Sequence, residues 1–210
     1  MRVWTFFLVM SVLPLFADGW DGKAAPVVLY ADFQQTPSDS VLKATQDELA
    51  QVMSPAGLHF VWYPLSDAGE RASARLAVIR FKGECDSRRL YLQQERLGPF
   101  GSTQVSGGKI LPFIEINCKS LRTFVQRDLL RVQQDKREAI FGRAVARVLA
   151  HELYHLLANT QSHARSGIAQ AYYSVEQLLA QSLRFGRKEY EALRSHAATR
   201  LSFDALAESE

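Results

Sequence analysis

Residues 140–157, which read IFGRAVARVLAHELYHLL, decide the fold of this chain. Apolar residues recur in this stretch at steps of three and four, which is the pattern of one buried face of an α-helix. We therefore predict a long helix over residues 137–158 at the centre of a hydrophobic core. The whole chain has 210 residues, of which 47% are apolar, and this is enough for one globular domain over residues 20–210.

The segments on either side of this helix predict an α+β fold. Five of them have the composition of strands, the last two as a hairpin: residues 27–33, 58–63, 74–81, 102–105 and 110–118. Three others have helical patterns: residues 39–53, 121–134 and 174–198, the last with a break near Phe185-Gly186. The expected domain has a mixed twisted sheet over about residues 26–118, packed on helices over about residues 120–200.

The N-terminus has the features of a secretory signal peptide over residues 1–19. A basic start precedes an apolar run over residues 3–16, which is shorter than the roughly 20 residues that cross a bilayer. Small residues then permit cleavage after Ala17 or Gly19. An uncleaved anchor and a buried first strand are the alternatives. We expect a secreted or periplasmic protein without a stable membrane span once the signal is removed.

Charge and cysteine content narrow the expected partners and compartment. The 25 Lys and Arg residues exceed the 22 Asp and Glu residues by only three, and they are spread along the chain, so nucleic acid is not an expected partner. The two cysteines, Cys85 and Cys118, are too few for a disulfide scaffold. They could form one bridge in an oxidising compartment, or remain as two buried thiols.

The long helix carries His151-Glu152-Leu153-Tyr154-His155, an H-E-x-x-H pattern. Its two histidines lie one helical turn apart, so both imidazoles can face the same ion. Glu152 lies about 100° around the helix from His151, where it can accept a proton from a water without becoming a ligand. The pattern predicts a zinc site with Glu152 as the catalytic carboxylate. A pair of histidines satisfied in the core or on the surface is the alternative.

A catalytic zinc site normally has three protein ligands, so a third is needed. His163 follows His155 by eight residues, after a polar stretch that should end the helix. Gly167 then permits a tight turn. Glu176, in a helix that Ser174 could cap, is the alternative third ligand. We favour His163, because three of the five histidines then fall within thirteen residues.

This arrangement resembles the zincin metallopeptidases, and among them the metzincins. The order of strand, helix, two strands, hairpin and motif-bearing helix is similar to the amino-terminal lobe of metzincins. The third histidine and the following Gly167-Ile168 are similar to those of secreted bacterial proteins with the same eight-residue spacing. The chain departs from strict metzincins at Ala158 and Gln161, where they have glycine and histidine. It also lacks their methionine turn, since its only methionines are Met1, Met10 and Met53.

The resemblance implies a secreted zinc metallopeptidase that cleaves a peptide or protein substrate. Glu152 would move a proton from the attacking water to the leaving amine. Tyr172 or Tyr173 could stabilise the oxyanion, although tyrosines in such positions are more often packing residues. Zincins align the substrate along a sheet edge, and we predict that residues 110–117 form this edge, with an interior or capped edge strand as the alternative.

The sequence leaves two questions open, the role of the arginines before the motif and an alternative function. Arg143 and Arg147 precede His151 at successive four-residue steps, so they could make the approach to the metal cationic or lie on a solvated helix face. The alternative function is a non-catalytic, zinc-stabilised extracytoplasmic binding domain. Glu152 favours the hydrolase, because a purely structural zinc site has no need of a carboxylate at that position.

Overall fold

The computed structural model describes residues 26–68, 75–88, 90 and 97–196. The described chain is an α+β fold, a five-stranded mixed sheet packed on helices, which confirms the predicted fold class. The predicted signal peptide, its cleavage site and the C-terminal residues from 197 onward lie outside the described residues.

The sheet has the strand order β2-β1-β3-β5-β4. Its strands are β1 (Val27–Gln35), β2 (Phe60–Pro64), β3 (Leu76–Glu84), β4 (Gly101–Ser106) and β5 (Lys109–Asn117). The pairs β1–β2, β1–β3 and β3–β5 are parallel, whereas β4 runs antiparallel to β5. The hairpin turns through Gly107 and Gly108, whose φ angles of 56° and 77° suit a two-residue turn between twisted strands.

The hairpin places β4, not β5, at the edge of the sheet. Strand β5 pairs with β3 on one side through Phe113 to Asn117 and with β4 on the other. The prediction that residues 110–117 form the substrate-binding edge is therefore wrong. Both strands of a hairpin carry similar local patterns, and which of them joins the sheet interior depends on the pairing with β3.

The helices are α1 (Asp39–Met53), α2 (Cys118–Leu130), α3 (Gln134–Leu157) and α4 (Val175–Leu179), with short 3-10 helices at Ser54–Ala56 and Leu65–Asp67. Residues 187–196 are also helical. The predicted break near Phe185 is therefore confirmed, and it extends over residues 180–186. Ser38 caps α1 by accepting from the Val41 amide at 3.3 Å. Within the described chain, no helix is both long and apolar enough to span a bilayer.

Helix α3 lies at the centre of the core, as predicted, and its residues from Phe141 to Leu156 are buried except for Arg143 and His155, which are half-buried. It crosses α1 closely at Gly142. A β-carbon at Gly142 would lie 2.6 Å from the carbonyl oxygen of Val41, which is too close for any side chain. The Thr45 hydroxyl bridges the two helices by donating to the carbonyls of Val41 and Gly142 at 2.8 and 3.1 Å.

Arg147 lies in neither of the two environments expected for it, the approach to the metal and a solvated helix face. Its side chain is fully buried, and its Nε lies 2.8 Å from Oε1 of Glu48 on α1. Its Nη1 donates to the carbonyls of Gln177 and Leu178 at 3.0 and 2.9 Å. Arg147 therefore neither faces solvent nor lines an approach to the histidines. It ties α3 to α1 and α4 behind the motif, a pairing that the helical spacing alone did not reveal.

Cys85 and Cys118 form a disulfide, one of the two alternatives that the sequence left open. Their α-carbons are 4.9 Å apart, and both residues are buried. Cys85 follows β3 and Cys118 is the first residue of α2, so the bridge ties the end of a central strand to the helix that precedes α3.

Candidate metal centre

His151, His155 and His163 come together as a group that could hold a metal ion. One ligand atom of each lies within 4.8 Å of the others. The Nε2 atoms of His151 and His155 are 3.0 Å apart, and the His163 ring centroid lies 5.2 and 4.9 Å from those of His151 and His155. The first two histidines stand on α3, and the third comes from the segment that follows it.

Backbone carbonyls orient the two helical imidazoles. The Nδ1 atom of His151 lies 2.8 Å from the Ile168 carbonyl oxygen, and that of His155 lies 2.7 Å from the Thr160 carbonyl oxygen. A carbonyl can only accept, so each Nδ1 carries the proton and each Nε2 presents a lone pair to the group. Two lone pairs at 3.0 Å repel each other, and a cation between them would turn this repulsion into binding. The donor set therefore fits a metal ion.

Burial keeps these two histidines neutral. Removal from solvent lowers the pKa of His151 to about 4, although the hydrogen bond to the Ile168 carbonyl acts to raise this pKa. Burial also lowers the pKa of His155, again against its bond to the Thr160 carbonyl. Near neutral pH both rings are in the unprotonated form that a metal requires.

The end of α3 builds part of this support. Asn159 adopts a left-handed conformation with φ of 47°, the Thr160 amide donates to the His155 carbonyl at 3.0 Å, and the Asn159 amide donates to the Leu156 carbonyl at 3.4 Å. This is a Schellman motif with asparagine in the place that glycine usually takes. It brings the Thr160 carbonyl under the His155 ring and turns the chain back toward His163. The polar residues 159–162 correctly predicted the helix end.

The segment after His163 positions the carbonyl that supports His151. The Ala164 amide donates to the Ala169 carbonyl at 2.8 Å, and the Ile168 amide donates to the Arg184 carbonyl at 3.1 Å. Gly167, with φ of 79°, makes the tight turn that the sequence predicted, and it packs so closely on the Arg184 carbonyl that a β-carbon would clash. His163 itself is exposed.

Glu152 faces strand β4. Its Oε2 atom lies 2.8 Å from the Thr103 hydroxyl, which also lies 3.1 Å from the Glu152 carbonyl oxygen. Burial raises the pKa of Glu152 to about 7, and the hydrogen bond from Thr103 opposes this shift. The sequence did not single out Thr103, because residues 102–105 carry only a short strand pattern and nothing local indicates which helix the strand contacts.

The other candidate residues lie apart from the Nε2 atoms. Glu176 is exposed in the first turn of α4, which Ser174 caps as predicted, and it does not belong to the histidine group. The hydroxyl of Tyr173 donates to the Ile168 carbonyl and lies 3.4 Å from His151 Nδ1, so it contacts the opposite edge of the ring from Nε2. Burial raises the pKa of Tyr173. Tyr172 is 89% exposed.

The three histidines and Glu152 line a cleft of about 650 Å³. The edge strand β4 forms one wall, and Tyr172 and Tyr173 form part of another. Phe100 and Phe124, whose ring centroids are 5.0 Å apart, add an apolar section. The site therefore combines a potential metal centre, a buried carboxylate and a strand edge that is unpaired among the described residues, all in one solvent-accessible cavity.

No family model matches this chain, and comparison with curated proteins and with solved structures also finds no match. What the fold and the site define is an α+β protein with a three-histidine group that could hold a metal ion.

Proposed function

We propose that this protein is a secreted or periplasmic zinc-dependent hydrolase, a zincin-like metallopeptidase. The observation that carries the proposal is the meeting of three imidazoles and the carboxylate of Glu152 in one cleft. Three imidazoles with a carboxylate that is not a ligand are the parts of a catalytic zinc site, whereas structural sites usually close all four positions with protein.

The histidine geometry favours zinc. Tetrahedral zinc with bonds of 2.0–2.1 Å holds two nitrogens about 3.3 Å apart, close to the 3.0 Å between the Nε2 atoms of His151 and His155. His163 would complete a set of three protein ligands. Zinc at this position would supply a Lewis acid that polarises the substrate carbonyl and lowers the pKa of water toward 7.

Glu152 is the proton carrier in the proposed reaction. Its carboxylate accepts a proton from the attacking water and returns that proton to the leaving nitrogen. In the metal-free site, burial raises the pKa of Glu152 to about 7, so this side chain can hold a proton near neutral pH.

Substrate binding is assigned to the cleft walls. The free edge of β4 would pair with an extended peptide through main-chain hydrogen bonds, in place of residues 110–117. Phe100 and Phe124 would receive an apolar side chain. Tyr172 lines the cleft and stays the better candidate for oxyanion stabilisation, because the Tyr173 hydroxyl lies on the Nδ1 side of His151.

The proposal is tested by metal content followed by activity. We expect one zinc per wild-type chain, loss of zinc in the triple variant His151→Ala, His155→Ala, His163→Ala, and retention in the matched control Glu176→Ala. Cleavage of a quenched fluorescent peptide library should then require zinc and fall at least 100-fold in Glu152→Gln, in keeping with the usual contribution of a general base. Activity that survives Glu152→Gln would refute the mechanism.

The same experiment separates the non-catalytic alternative. A zinc-stabilised binding domain would lose zinc and stability in the triple histidine variant, but it would cleave no peptide in either the wild-type protein or Glu152→Gln. This outcome would leave the metal assignment intact and reject the hydrolase.

A further inference from the structure

We propose that Thr103 on β4 is the positioning residue for Glu152, which holds the carboxylate in the orientation that proton transfer needs. This inference deepens the proposed hydrolase function and rests on it. Strand β4 would then have two roles, because it would pair with the substrate and would also orient a side chain of the facing helix α3.

Thr103 makes two contacts with Glu152. Its hydroxyl oxygen lies 2.8 Å from Oε2 of Glu152 and 3.1 Å from the main-chain carbonyl oxygen of the same residue. The Glu152 residue is only 6% exposed, so bulk water does not compete freely for the carboxylate. Thr103 therefore fixes the end of the side chain relative to its own backbone.

The hydroxyl also suits both forms that Glu152 takes during proton transfer. A hydroxyl has one proton to donate and lone pairs to accept. It can donate to the charged carboxylate. It can go on donating to Oε2 in the neutral acid, because the proton taken from the water is then carried by Oε1. One side chain thus keeps a hydrogen bond to Glu152 through the whole cycle.

The backbone of Gly101 lies on the other side of the carboxylate. Gly101 lies two residues before Thr103, so both face the same side of β4. A β-carbon at Gly101 would lie 2.7 Å from Oε1 and 2.8 Å from Cγ of Glu152, and 3.0 Å from Cγ1 of Val148. The carboxylate therefore lies between a hydroxyl and bare backbone, in a space that any larger residue at position 101 would close.

Loss of the hydroxyl should therefore reduce turnover more than substrate binding. In Thr103→Val, a side chain of nearly the same shape leaves Oε2 without its partner, and the carboxylate can rotate away from the attacking water. We expect kcat to fall at least 10-fold while KM changes less than 3-fold. Thr103→Ser restores the hydroxyl and should recover kcat to within about 3-fold of wild type.

The matched control is Thr45→Val. It removes a more deeply buried threonine hydroxyl, which instead donates to the carbonyls of Val41 and Gly142. This variant should lose stability but keep its kcat. Equal losses of kcat in Thr45→Val and Thr103→Val, or a kcat that is unchanged in Thr103→Val, would overturn the proposal.

A second readout does not depend on activity. In zinc-free protein, the urea midpoint is measured for Thr103→Val, for Glu152→Ala and for the double variant. Thr103→Val should shift the midpoint clearly less in the Glu152→Ala background than in wild type, because its partner is already gone. Equal shifts in the two backgrounds would overturn the proposal. If the zinc-loaded wild type cleaves no peptide, the hydrolase assignment fails, whereas this cycle still decides whether Thr103 holds Glu152.

Discussion

The two buried titratable groups of the motif should give the zinc-free protein opposite pH dependences of stability. Burial lowers the pKa of His151 from 6.5 to about 4 and raises the pKa of Glu152 from 4.5 to about 7. Their effects should oppose each other in the wild-type protein between pH 4.5 and 6.5, where the lowered pKa of His155 adds to the effect of His151. Glu152→Gln should remove one of them and reveal the other.

The magnitudes follow from proton linkage. Between pH 4 and 6.5 the unfolded state binds more protons at His151, so the free energy of unfolding falls by about 3 kcal/mol as the pH is lowered through this window. Between pH 4.5 and 7 the folded state binds more protons at Glu152, so the free energy of unfolding falls by about 3 kcal/mol as the pH is raised.

Urea unfolding of zinc-free protein at several pH values between 4.5 and 7 measures this effect. The unfolding free energy of Glu152→Gln minus that of wild type should increase by about 3 kcal/mol across this range. Glu176→Gln is the matched control, because its carboxylate is exposed, and its difference from wild type should stay within about 1 kcal/mol. A Glu152→Gln difference that does not change with pH would refute the reasoning.

Three further predictions concern stability and are checked by denaturant unfolding. Glu48→Gln should lower the free energy of unfolding by about 3–5 kcal/mol, because it leaves the buried Arg147 guanidinium without its counter-charge; a loss below 1 kcal/mol would contradict this. Asn159→Val should cost about 1–2 kcal/mol at its φ of 47°, whereas Asn159→Gly should cost nothing, and equal costs would speak against backbone strain. Replacing Cys85 and Cys118 by alanine should cost about 3–4 kcal/mol for a separation of 33 residues, and unchanged stability would show that the bridge does not constrain the unfolded chain.

The helical part of the site could largely be predicted from the sequence, because it depends on residues that are close together along the chain. The three- and four-residue periodicity predicted α3 and its burial, and the helical repeat itself places His151 and His155 on one face. The polar residues after the helix and Gly167 predicted the turn that brings His163 back. These features depend on the geometry of one continuous segment, so a sequence pattern suffices to find them.

The β-side of the site was not predictable in the same way. Both strands of the hairpin were recognised, but the edge was assigned to residues 110–117, whereas β4 occupies it. The sequence did not indicate Thr103 and Gly101 as site residues, because both lie about fifty residues away from Glu152 along the chain. Arg147 was expected near solvent, and only its partner Glu48, 99 residues earlier, explains its burial.

The sequence by itself determined which segments are helices and strands, and it placed a carboxylate between two histidines on a buried helix. The tertiary structure decided which strand faces that carboxylate, which carbonyls orient the imidazoles and which charge neutralises Arg147. The physical reason is that periodicity and turn preferences act between neighbouring residues, whereas the environment of a buried polar group is built by segments that meet only when the chain folds.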